Sequence, residues 1–416
     1  MLRFVLISTF VLSVFGSRLK VASAPAVLPN DVYVWQRLWT PPLNESILSH
    51  ATNFSEFIAL HTEVAWKQRL LDPIHVSLDY ETLRKSGSRI GLALRIATFS
   101  GPFNATNETT RGLIAIARSL LAEAQTNHIP VAELQMDFDC PESKLDGFAV
   151  WVGEIRKSIE PIPLTITALP SWLKHAGFKR LVNNTDGFVL QVHSLKKPGR
   201  PDDPFTLCDP RVALEAVERA GQCGVPFRVA LPTYGYLLAF NPAGEFRGLS
   251  AEGFAKKFPE GSILREVRAQ PNEISQLVRE WEQRHPTELR GIIWYRLPAA
   301  GDQLNWSWPT LASVMAGKNP QARLRSESRK SDSGLFEIDL INDGDGDYQG
   351  DVRVEGQWKS ARLVASDGWL GFECLEKGSN TIDFVNPKYR ISAGERRTVG
   401  WFRLSKDSEV QIETHP

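Results

Sequence analysis

The sequence predicts an α/β barrel followed by a small all-β domain, and three observations support this prediction. The chain has 416 residues, enough for two or three domains at about 100–200 residues each. From residue 31 to about residue 319, short apolar runs alternate with longer segments of helical spacing. After residue 333 the apolar runs are short and alternate with polar residues, separated by glycine, aspartate or proline, with no helical segment.

Composition and charge exclude several classes of protein. Hydrophobic residues make up 42% of the chain and charged residues 23%, which is typical of a globular protein and excludes a disordered or fibrous one. Lysine plus arginine number 48, and aspartate plus glutamate also number 48. This balance gives no attraction toward a phosphate backbone or an anionic lipid surface. We therefore predict no nucleic-acid partner, while the oligomeric state stays open.

The first 24 residues have the pattern of a secretory signal peptide. A cationic start is followed by an apolar run over 4–15 and by small residues that end at Ala24. The run is shorter than the about 20 apolar residues that span a bilayer, although an uncleaved anchor is the alternative. We therefore predict an exported protein that is periplasmic or extracellular, with association with the cell envelope as an alternative. After cleavage of the signal peptide we predict no transmembrane span.

The region 25–319 is predicted to be the barrel. Strand candidates lie at 32–38, 57–65, 90–98, 131–138, 164–169, 187–192, 227–231 and 291–295. Helix candidates lie at 111–124, 145–159, 212–220, 273–284 and 308–315. Buried strands that alternate with helices imply a parallel sheet, and eight such units predict a closed (β/α)8 TIM-type barrel. Two units are less regular, because the helix near Ile47 is short and residues 74–78 are an additional strand candidate.

The rest of the chain divides into a linker and a second domain. Residues 320–333 are rich in arginine, serine and lysine, which is typical of a linker. Residues 334–416 predict a β-sandwich. The turn at 342–347 alternates aspartate with glycine like a calcium loop, but no glutamate stands at the twelfth place from Asp343. A hairpin connection is therefore the favoured interpretation.

The cysteines predict neither a metal site nor a dense disulfide framework. There are four, at Cys140, Cys208, Cys223 and Cys374. In an exported chain they could pair, but their spread along the chain favours at most one disulfide. No CxxC pair and no cysteine–histidine cluster is present, so we predict no zinc and no other cofactor.

The strongest candidates for catalysis lie on the fourth strand. Gln135, Asp137 and Asp139 are spaced two residues apart, which places their side chains on one face of a strand. Active sites of such barrels form at the carboxyl ends of the strands. Neighbouring carboxylates disfavour each other's ionisation, which can keep one of them protonated as an acid. The alternative is that Asp139, two residues before Pro141, only stabilises the loop.

Other strand ends carry aromatic and hydrogen-bonding residues. In chain order these are Trp35, Arg37, Glu63, Trp66, Arg95, Trp172, Gln191, His193, Tyr234 and Trp294. Indole rings beside acids, amides and hydroxyls suit a sugar, which offers a flat C–H face and hydroxyl groups. For any single tryptophan, packing in the core is the alternative. Together these residues predict a carbohydrate-binding site.

Five motifs at the strand ends carry a resemblance to a known family. They are VWQR at 34–37, LQMDFDCP at 134–141, TALPSW at 167–172, LQVHS at 190–194 and ALPTYGY at 230–236. With them the chain resembles the bacterial secreted family catalogued as a domain of unknown function, number 3142. That family name implies no activity.

The barrel is also similar in strand order to the family 18 glycoside hydrolases, the chitinase-like barrels. Their strand-end motifs fall on 135–139 (Asp-x-Asp-x-Glu), 191–193 (Met-x-Tyr), 232–235 (Pro-x-Tyr-Gly) and Trp294 (tryptophan of the eighth strand). The resemblance keeps the middle aspartate as Asp137 and implies a glycoside hydrolase activity.

Two departures from the family 18 pattern affect what the resemblance implies. Asp139 stands in place of the proton-donating glutamate and is one methylene shorter. Either the substrate lies closer to Asp139, or Glu142 reaches back past Pro141 as the acid. His193 replaces the tyrosine of the sixth-strand motif, which does not fit the acetamido-assisted route of chitinases.

The leading hypothesis is an exported glycoside hydrolase that acts on a polysaccharide or glycoconjugate. Asp139 would be the general acid, Asp137 its charge partner or the base, and Gln191, His193 and Tyr234 would position the sugar. The alternative is a non-catalytic glycan-binding or envelope-associated protein. Whether a second carboxylate, such as Glu63 or Glu142, converges on Asp139 discriminates between these hypotheses.

Overall fold

The computed structural model describes residues 27–68, 70–251 and 258–415. The predicted signal peptide over 1–24 lies outside the described residues. Among the helices that the structure describes, none is both long and apolar enough to cross a membrane.

Eight parallel strands form the predicted barrel. Before residue 300 the described chain forms β1 (Asn30–Val34), β2 (Glu56–Lys67), β3 (Leu70–His75), β4 (Arg89–Ile96), β5 (Val131–Phe138), β6 (Leu164–Ala168), β7 (Gly187–Gln191), β8 (Phe227–Pro232), β9 (Gly235–Phe240), β10 (Phe246–Ser250), β11 (Ile263–Arg268) and β12 (Leu289–Tyr295). The barrel follows the order β1, β2, β4, β5, β6, β7, β8, β12, and it closes because β12 pairs with β1 in parallel. The TIM-type fold is thus confirmed. The additional strand near residue 74 is β3, which begins earlier than expected and runs antiparallel to β2.

The helices pack around the barrel with their apolar faces toward it. They are α1 (Pro41–His50), α2 (Tyr80–Ser86), α3 (Glu108–Thr126), α4 (Leu145–Ile159), α5 (Ala176–Val182), α6 (Pro210–Gly221), α7 (Pro271–Arg284) and α8 (Trp308–Met315). Asn107 caps α3 by accepting a 2.8 Å hydrogen bond from the backbone N–H of Thr110. On α4 the apolar residues Phe148, Trp151 and Ile155 recur at helical spacing and are fully buried.

Side chains inside the barrel alternate along each strand with side chains that pack toward the helices. The amide of Gln135 donates a 2.7 Å hydrogen bond to the hydroxyl of Tyr33 across the interior. The ring of Tyr295 lies 5.6 Å from that of Tyr33. Inward positions are therefore the odd-numbered ones on β1, β5 and β12, and Trp294 belongs to the opposite face.

A buried ionic cluster fills the amino-terminal end of the barrel. The guanidinium of Arg228 donates to Asp31 at 3.0 Å and also to Glu133. Glu56 lies in the same layer, and its Oε1 is buried without a hydrogen-bond partner. A Cβ at position 91 would lie 2.8 Å from that oxygen, so only Gly91 leaves room for the cluster. Burial raises the pKa of Glu56 to about 7, and repulsion from Glu133 adds to the shift.

Strands β9, β10 and β11 form a separate antiparallel sheet between β8 and α7, with β9 in the centre. Because β9 begins three residues after β8 ends, this sheet lies at the carboxyl end of the barrel. It carries Tyr236 on β9 and Leu249 on β10 to the mouth of the barrel.

The second domain consists of two four-stranded antiparallel sheets around their own apolar core. Its strands are β13 (Leu324–Asp332), β14 (Leu335–Asn342), β15 (Tyr348–Trp358), β16 (Leu363–Gly368), β17 (Glu373–Glu376), β18 (Thr381–Ile391), β19 (Arg396–Leu404) and β20 (Val410–His415). The predicted linker over 320–333 is corrected here, because most of it forms β13. This strand lies at the edge of its sheet and pairs only with β14. An edge strand needs little apolar content, which explains why its composition indicated a linker.

The Asp-Gly turn at 342–347 connects the two sheets and is not a hairpin, because β14 and β15 belong to different sheets. Its carboxylates fasten the second domain to the barrel. Asp345 accepts from the hydroxyl of Ser313 at 2.7 Å. Asp347 accepts from the backbone N–H of Ser307 at 2.9 Å and of Ala393 at 3.0 Å. Within the described ranges, no group of three or more His, Cys, Asp or Glu residues is placed to hold a metal ion.

Replacing Asp347 by alanine is expected to lower the free energy of unfolding by roughly 2–4 kcal/mol, because two backbone amides lose a charged acceptor. Urea unfolding followed by tryptophan fluorescence measures the change. Asp351→Ala, at an exposed aspartate of β15, is the matched control and should lie close to the unsubstituted protein. Equal unfolding curves for Asp347→Ala and Asp351→Ala would contradict the docking role of the turn.

The four cysteines are free thiols. Cys140 and Cys208 are buried, and burial raises the pKa of each thiol to about 12. A thiol with so high a pKa stays protonated and is a poor nucleophile.

Candidate active site at the carboxyl ends of the barrel strands

A cavity of about 600 Å³ opens at the carboxyl ends of the barrel strands. Its wall comes from the barrel strands β4, β5, β7 and β12, from residues that follow β1, β5 and β8, from the loops after β6 and β7 and from the sheet of β9 and β10. Seven of the residues singled out from the sequence line it, namely Trp35, Arg95, Asp137, Asp139, Gln191, His193 and Tyr234. These residues lie far apart in the chain and meet here because parallel barrel strands end at the same face.

Asp137 lies at the base of the cavity. The hydroxyl of Thr167 donates to its Oδ1 at 2.6 Å, and Arg95 Nε lies 3.8 Å from its Oδ2. Its side chain is 19% exposed. Burial raises the pKa of Asp137, Arg95 lowers it in part, and the charge of Asp139 raises it further. Asp137 is therefore a carboxyl group held in place by protein contacts, with an increased tendency to keep its proton.

Asp139 follows on the same side of the chain and is exposed to the cavity. It makes no hydrogen bond and no ion pair within the part of the chain that the structure describes. A second cavity, of about 300 Å³, lies beyond it and is lined by both Asp139 and Arg95. Asp139 thus stands between two cavities with a carboxylate that is available to a ligand.

Glu63 belongs to a row of alternating charges that supports the site. Arg37 binds it through two hydrogen bonds of 2.6 and 3.0 Å. Arg95 Nη1 lies 3.4 Å from Glu63 and reaches on to Asp137. Glu63 and Asp139 both line the smaller cavity, but both oxygens of Glu63 are occupied by Arg37. The carboxylate that accompanies Asp139 in the larger cavity is therefore Asp137.

A hydrogen-bonded chain of His193, Tyr234, Tyr236 and Ser194 forms the opposite wall. Tyr234 Oη lies 3.3 Å from His193 Nδ1 and 3.0 Å from Tyr236 Oη, which in turn lies 2.8 Å from Ser194 Oγ. Burial lowers the pKa of His193 to about 3, so its imidazole is neutral at physiological pH. This wall offers neutral donors and acceptors to a ligand and no charge.

The structure corrects two of the tryptophan predictions. Trp294 is fully buried on the outer face of β12, and its indole N–H donates to Asn30 Oδ1 at 2.8 Å. Trp172 is also buried, with Phe178 6.3 Å from its ring. Both lie near strand ends, but their side chains point into the core. Neither can stack on a ligand in the cavity.

Trp66, Glu142 and Gln135 also lie outside the cavity. Trp66 stacks on Phe99 at 4.3 Å, on the hairpin of β2 and β3. Glu142 pairs with His175 at 2.8 Å on the surface, and its pKa is lowered by hydrogen bonds from Ser171 and His175. Gln135 is fully buried below the cavity. The structure therefore places neither Glu142, the alternative acid, nor Gln135 in the lining of the cavity.

Sequence reasoning missed several residues of the site. The lining also includes Ser171, Ser194, Lys196, Lys197, Tyr236 and Tyr295. The alternation of side chains along β12 could have indicated Tyr295, because Tyr295 lies on the same face of the strand as Gly291 and Ile293. Tyr236 closes the motif ALPTYGY at 230–236, but it reaches the cavity on a sheet that the strand pattern did not predict.

Comparison with known proteins gives one family and a set of solved structures. The model of the family DUF3142, a domain of unknown function, matches residues 99–300. A chitinase from Chromobacterium violaceum ATCC 12472 is similar in structure, with 11% identity over 70% of this chain and 98% of that chain and a TM-score of 0.49. The spore cortex-lytic enzyme SleL of Bacillus cereus has 11% identity over 70% and 74%, with a TM-score of 0.48.

A GH18 chitinase, ChiB from Flavobacterium johnsoniae, has 13% identity over 70% of this chain and 93% of that chain, with a TM-score of 0.47. No curated protein matches the sequence. The resemblance that the strand-end motifs indicated is confirmed by the family match. Over residues 99–300, this chain is therefore similar to the family DUF3142, a domain of unknown function.

Proposed function

We propose that this chain is an exported glycoside hydrolase that cleaves a polysaccharide or glycoconjugate by general acid/base catalysis. One observation carries the proposal. A cavity large enough for a sugar lies at the carboxyl face of the barrel and is lined by aromatic rings. Two carboxyl groups also line it: Asp139, which makes no hydrogen bond within the described residues, and Asp137, which is largely buried. Glycoside hydrolysis uses two carboxyl groups, and here the two lie two residues apart, on β5 and directly after it.

Asp139 is the proposed general acid, because it is the carboxyl group that a ligand can reach from both cavities. A glycan that crosses the site would place one sugar in each cavity, with the bond between them beside Asp139. Asp137 is the charge partner or the base, held by Thr167 and Arg95. Asp139 gives its proton to the leaving oxygen, and the attacking water gives a proton to Asp137, whose raised pKa favours holding it.

The remaining wall would bind and orient the sugar. Trp35 and Tyr295 lie 5.5 Å apart by ring centroids and offer apolar faces. Gln191 offers an amide, while His193 and Tyr234 offer neutral polar atoms. Because His193 does not carry a proton at physiological pH, its role is positioning and not acid catalysis.

A glycan-hydrolysis screen tests the proposal. The intact protein is compared with Asp137→Asn and Asp139→Asn, and released reducing ends are measured. We expect turnover of at least one glycan by the intact protein and loss of turnover in both variants. Products that persist in both variants would contradict the assigned roles. Binding without turnover on any glycan would favour the alternative of a non-catalytic glycan-binding protein.

Export rests on the signal-peptide pattern of residues 1–24 alone. Fractionation of cells that produce the full chain tests it. We expect the mature protein in the periplasm or the medium, shortened at its amino terminus, and full-length protein in the cytoplasm would contradict export.

A further inference from the structure

The larger cavity carries more positive charge than a neutral glycan needs. Its described lining contains the cations Arg95, Lys196 and Lys197 beside the carboxyl groups of Asp137 and Asp139. Arg95 is engaged, at 3.4 Å from Glu63 and 3.8 Å from Asp137. Lys196 and Lys197 have no carboxylate partner within the described ranges. Two adjacent exposed lysines therefore line the cavity, and Lys196 also lines a neighbouring pocket of about 430 Å³.

The loop that carries the two lysines is anchored on both sides. Before them, the backbone N–H of Ser194 donates to Leu207 at 2.7 Å and its hydroxyl lies 2.8 Å from Tyr236 Oη. After them, Pro198 is buried, and Asp203 accepts from the backbone N–H of Gly199 and of Arg200 at 2.8 Å each. The two lysines are thus carried to the cavity wall by a segment whose backbone is held on both sides. This lowers the entropy that a ligand must offset to bind them.

The charges are also separated within the site. The lysines follow β7, whereas Asp137 lies near the end of β5 and Asp139 follows it, with β6 between the two strands. An anionic group of a ligand is repelled by Asp139 and attracted by the lysines. It would therefore bind on the side of β7 and leave the neutral part of the sugar chain beside Asp139. Charge here sets the direction in which a glycan lies in the cleft.

We infer that the glycan which this site takes is acidic, with a carboxylate or sulfate group on the sugar that occupies the larger cavity, bound by Lys196 and Lys197. This inference rests on the proposed function, because it names the substrate class of the same site. Carboxylate and sulfate share the anionic oxygens that a lysine binds.

The test compares acidic sugars with a neutral counterpart. Oligogalacturonides, the same oligosaccharides after reduction of their carboxyl groups, and sulfated galactan oligosaccharides are titrated into the full chain by calorimetry. Products are analysed in the same samples. We expect an acidic probe to bind roughly tenfold or more tightly than the neutral one, the scale of one charge-assisted contact. Which acidic probe binds more tightly distinguishes the two sources of the anion.

Two double variants make the test specific. Lys196→Gln/Lys197→Gln should lose roughly tenfold or more in affinity for the acidic probe, with no change for the neutral one. Lys179→Gln/Lys388→Gln removes the same charge from two exposed lysines outside the cavity. It should bind the acidic probe as the unsubstituted protein does. Affinity for the acidic probe should also fall with added salt, and less steeply in the first variant.

Each outcome has a distinct meaning. Binding of the neutral probe equal to that of both acidic probes would overturn the inference. If the neutral probe is also cleaved in those samples, the proposed function still stands. Equal acidic-probe affinity in the two double variants would also overturn it. If acidic probes bind through the lysines but no glycan is cleaved, the inference stands and the proposed hydrolysis fails.

Discussion

Replacement of Asp139 by asparagine is expected to lower kcat for glycan hydrolysis by about 10²–10⁴-fold, the range that a general acid contributes. The side chain keeps its size and its place between the two cavities, but an amide cannot donate a proton to the leaving oxygen. KM should change little, because the rings and amides that hold the sugar are untouched. Steady-state kinetics of released reducing ends measure both constants.

Two companion variants separate catalysis from folding. Asp139→Glu keeps an acid at this position and should retain more activity than Asp139→Asn. Glu142→Gln should have the kcat of the unsubstituted protein, because Glu142 pairs with His175 on the surface, outside the cavity. A loss of activity in Glu142→Gln together with an active Asp139→Asn would transfer the acid role to Glu142 and contradict our assignment.

Replacement of Arg228 by methionine is expected to lower the free energy of unfolding by about 3–5 kcal/mol, because it leaves buried carboxyl groups without their cation. Arg228 binds both Asp31 and Glu133 at the amino-terminal end of the barrel. Arg290→Met is the matched control, since Arg290 pairs with Glu288 on the surface and is 63% exposed. An exposed pair contributes about 1 kcal/mol or less. Urea unfolding at neutral pH compares the two variants.

Glu56 makes the same cluster sensitive to pH. Because the pKa of Glu56 rises from 4.5 to about 7 on folding, the folded protein binds this proton more tightly than the unfolded chain. Its stabilising contribution is complete below the unfolded pKa and is lost as the pH rises to about 7. Glu56→Gln should flatten this dependence and unfold at higher urea than the unsubstituted protein at pH values above that pKa.

The cluster is tested even if Arg228→Met does not fold. An unchanged pH dependence in Glu56→Gln would contradict the assignment of Glu56. Equal destabilisation by Arg228→Met and Arg290→Met would contradict the role of the cluster in stabilising the amino-terminal end of the barrel.

The strands of the barrel were predictable because both of their faces are buried. A parallel strand between helices and the barrel interior reads as a continuous apolar run, and such runs appear at all eight positions. The same reasoning failed for β13, an edge strand whose side chains are mostly polar. Edge position follows from tertiary pairing, which local sequence does not encode.

The acidic part of the site was predictable because alternate residues of a single strand lie on the same face. Asp137 and Asp139 alternate with buried apolar residues, and the structure places both in the cavity. The tryptophans were harder, because proximity to a strand end does not decide on which face a side chain lies. Trp294 and Tyr295 are neighbours in the chain, yet only the second reaches the cavity.

Loop residues of the site were beyond strand-based reasoning. Lys196 and Lys197 reach the cavity because the loop after β7 folds back and is fastened to Leu207 and Asp203. The contact between Ser194 and Leu207 joins residues that no local pattern relates. The resulting charge distribution is therefore a property of the fold that becomes visible only in three dimensions.

We propose that a glycosidic bond is cleaved beside Asp139, in the cleft at the carboxyl face of the barrel. A crystal structure of Asp139→Asn with an uncleaved oligosaccharide tests this most directly. We expect sugars in both cavities and a glycosidic oxygen about 3 Å from the side chain at position 139, the distance of a hydrogen bond. An oligosaccharide bound only to the β-sandwich, or one whose glycosidic oxygens all lie beyond reach of that side chain, would contradict the account.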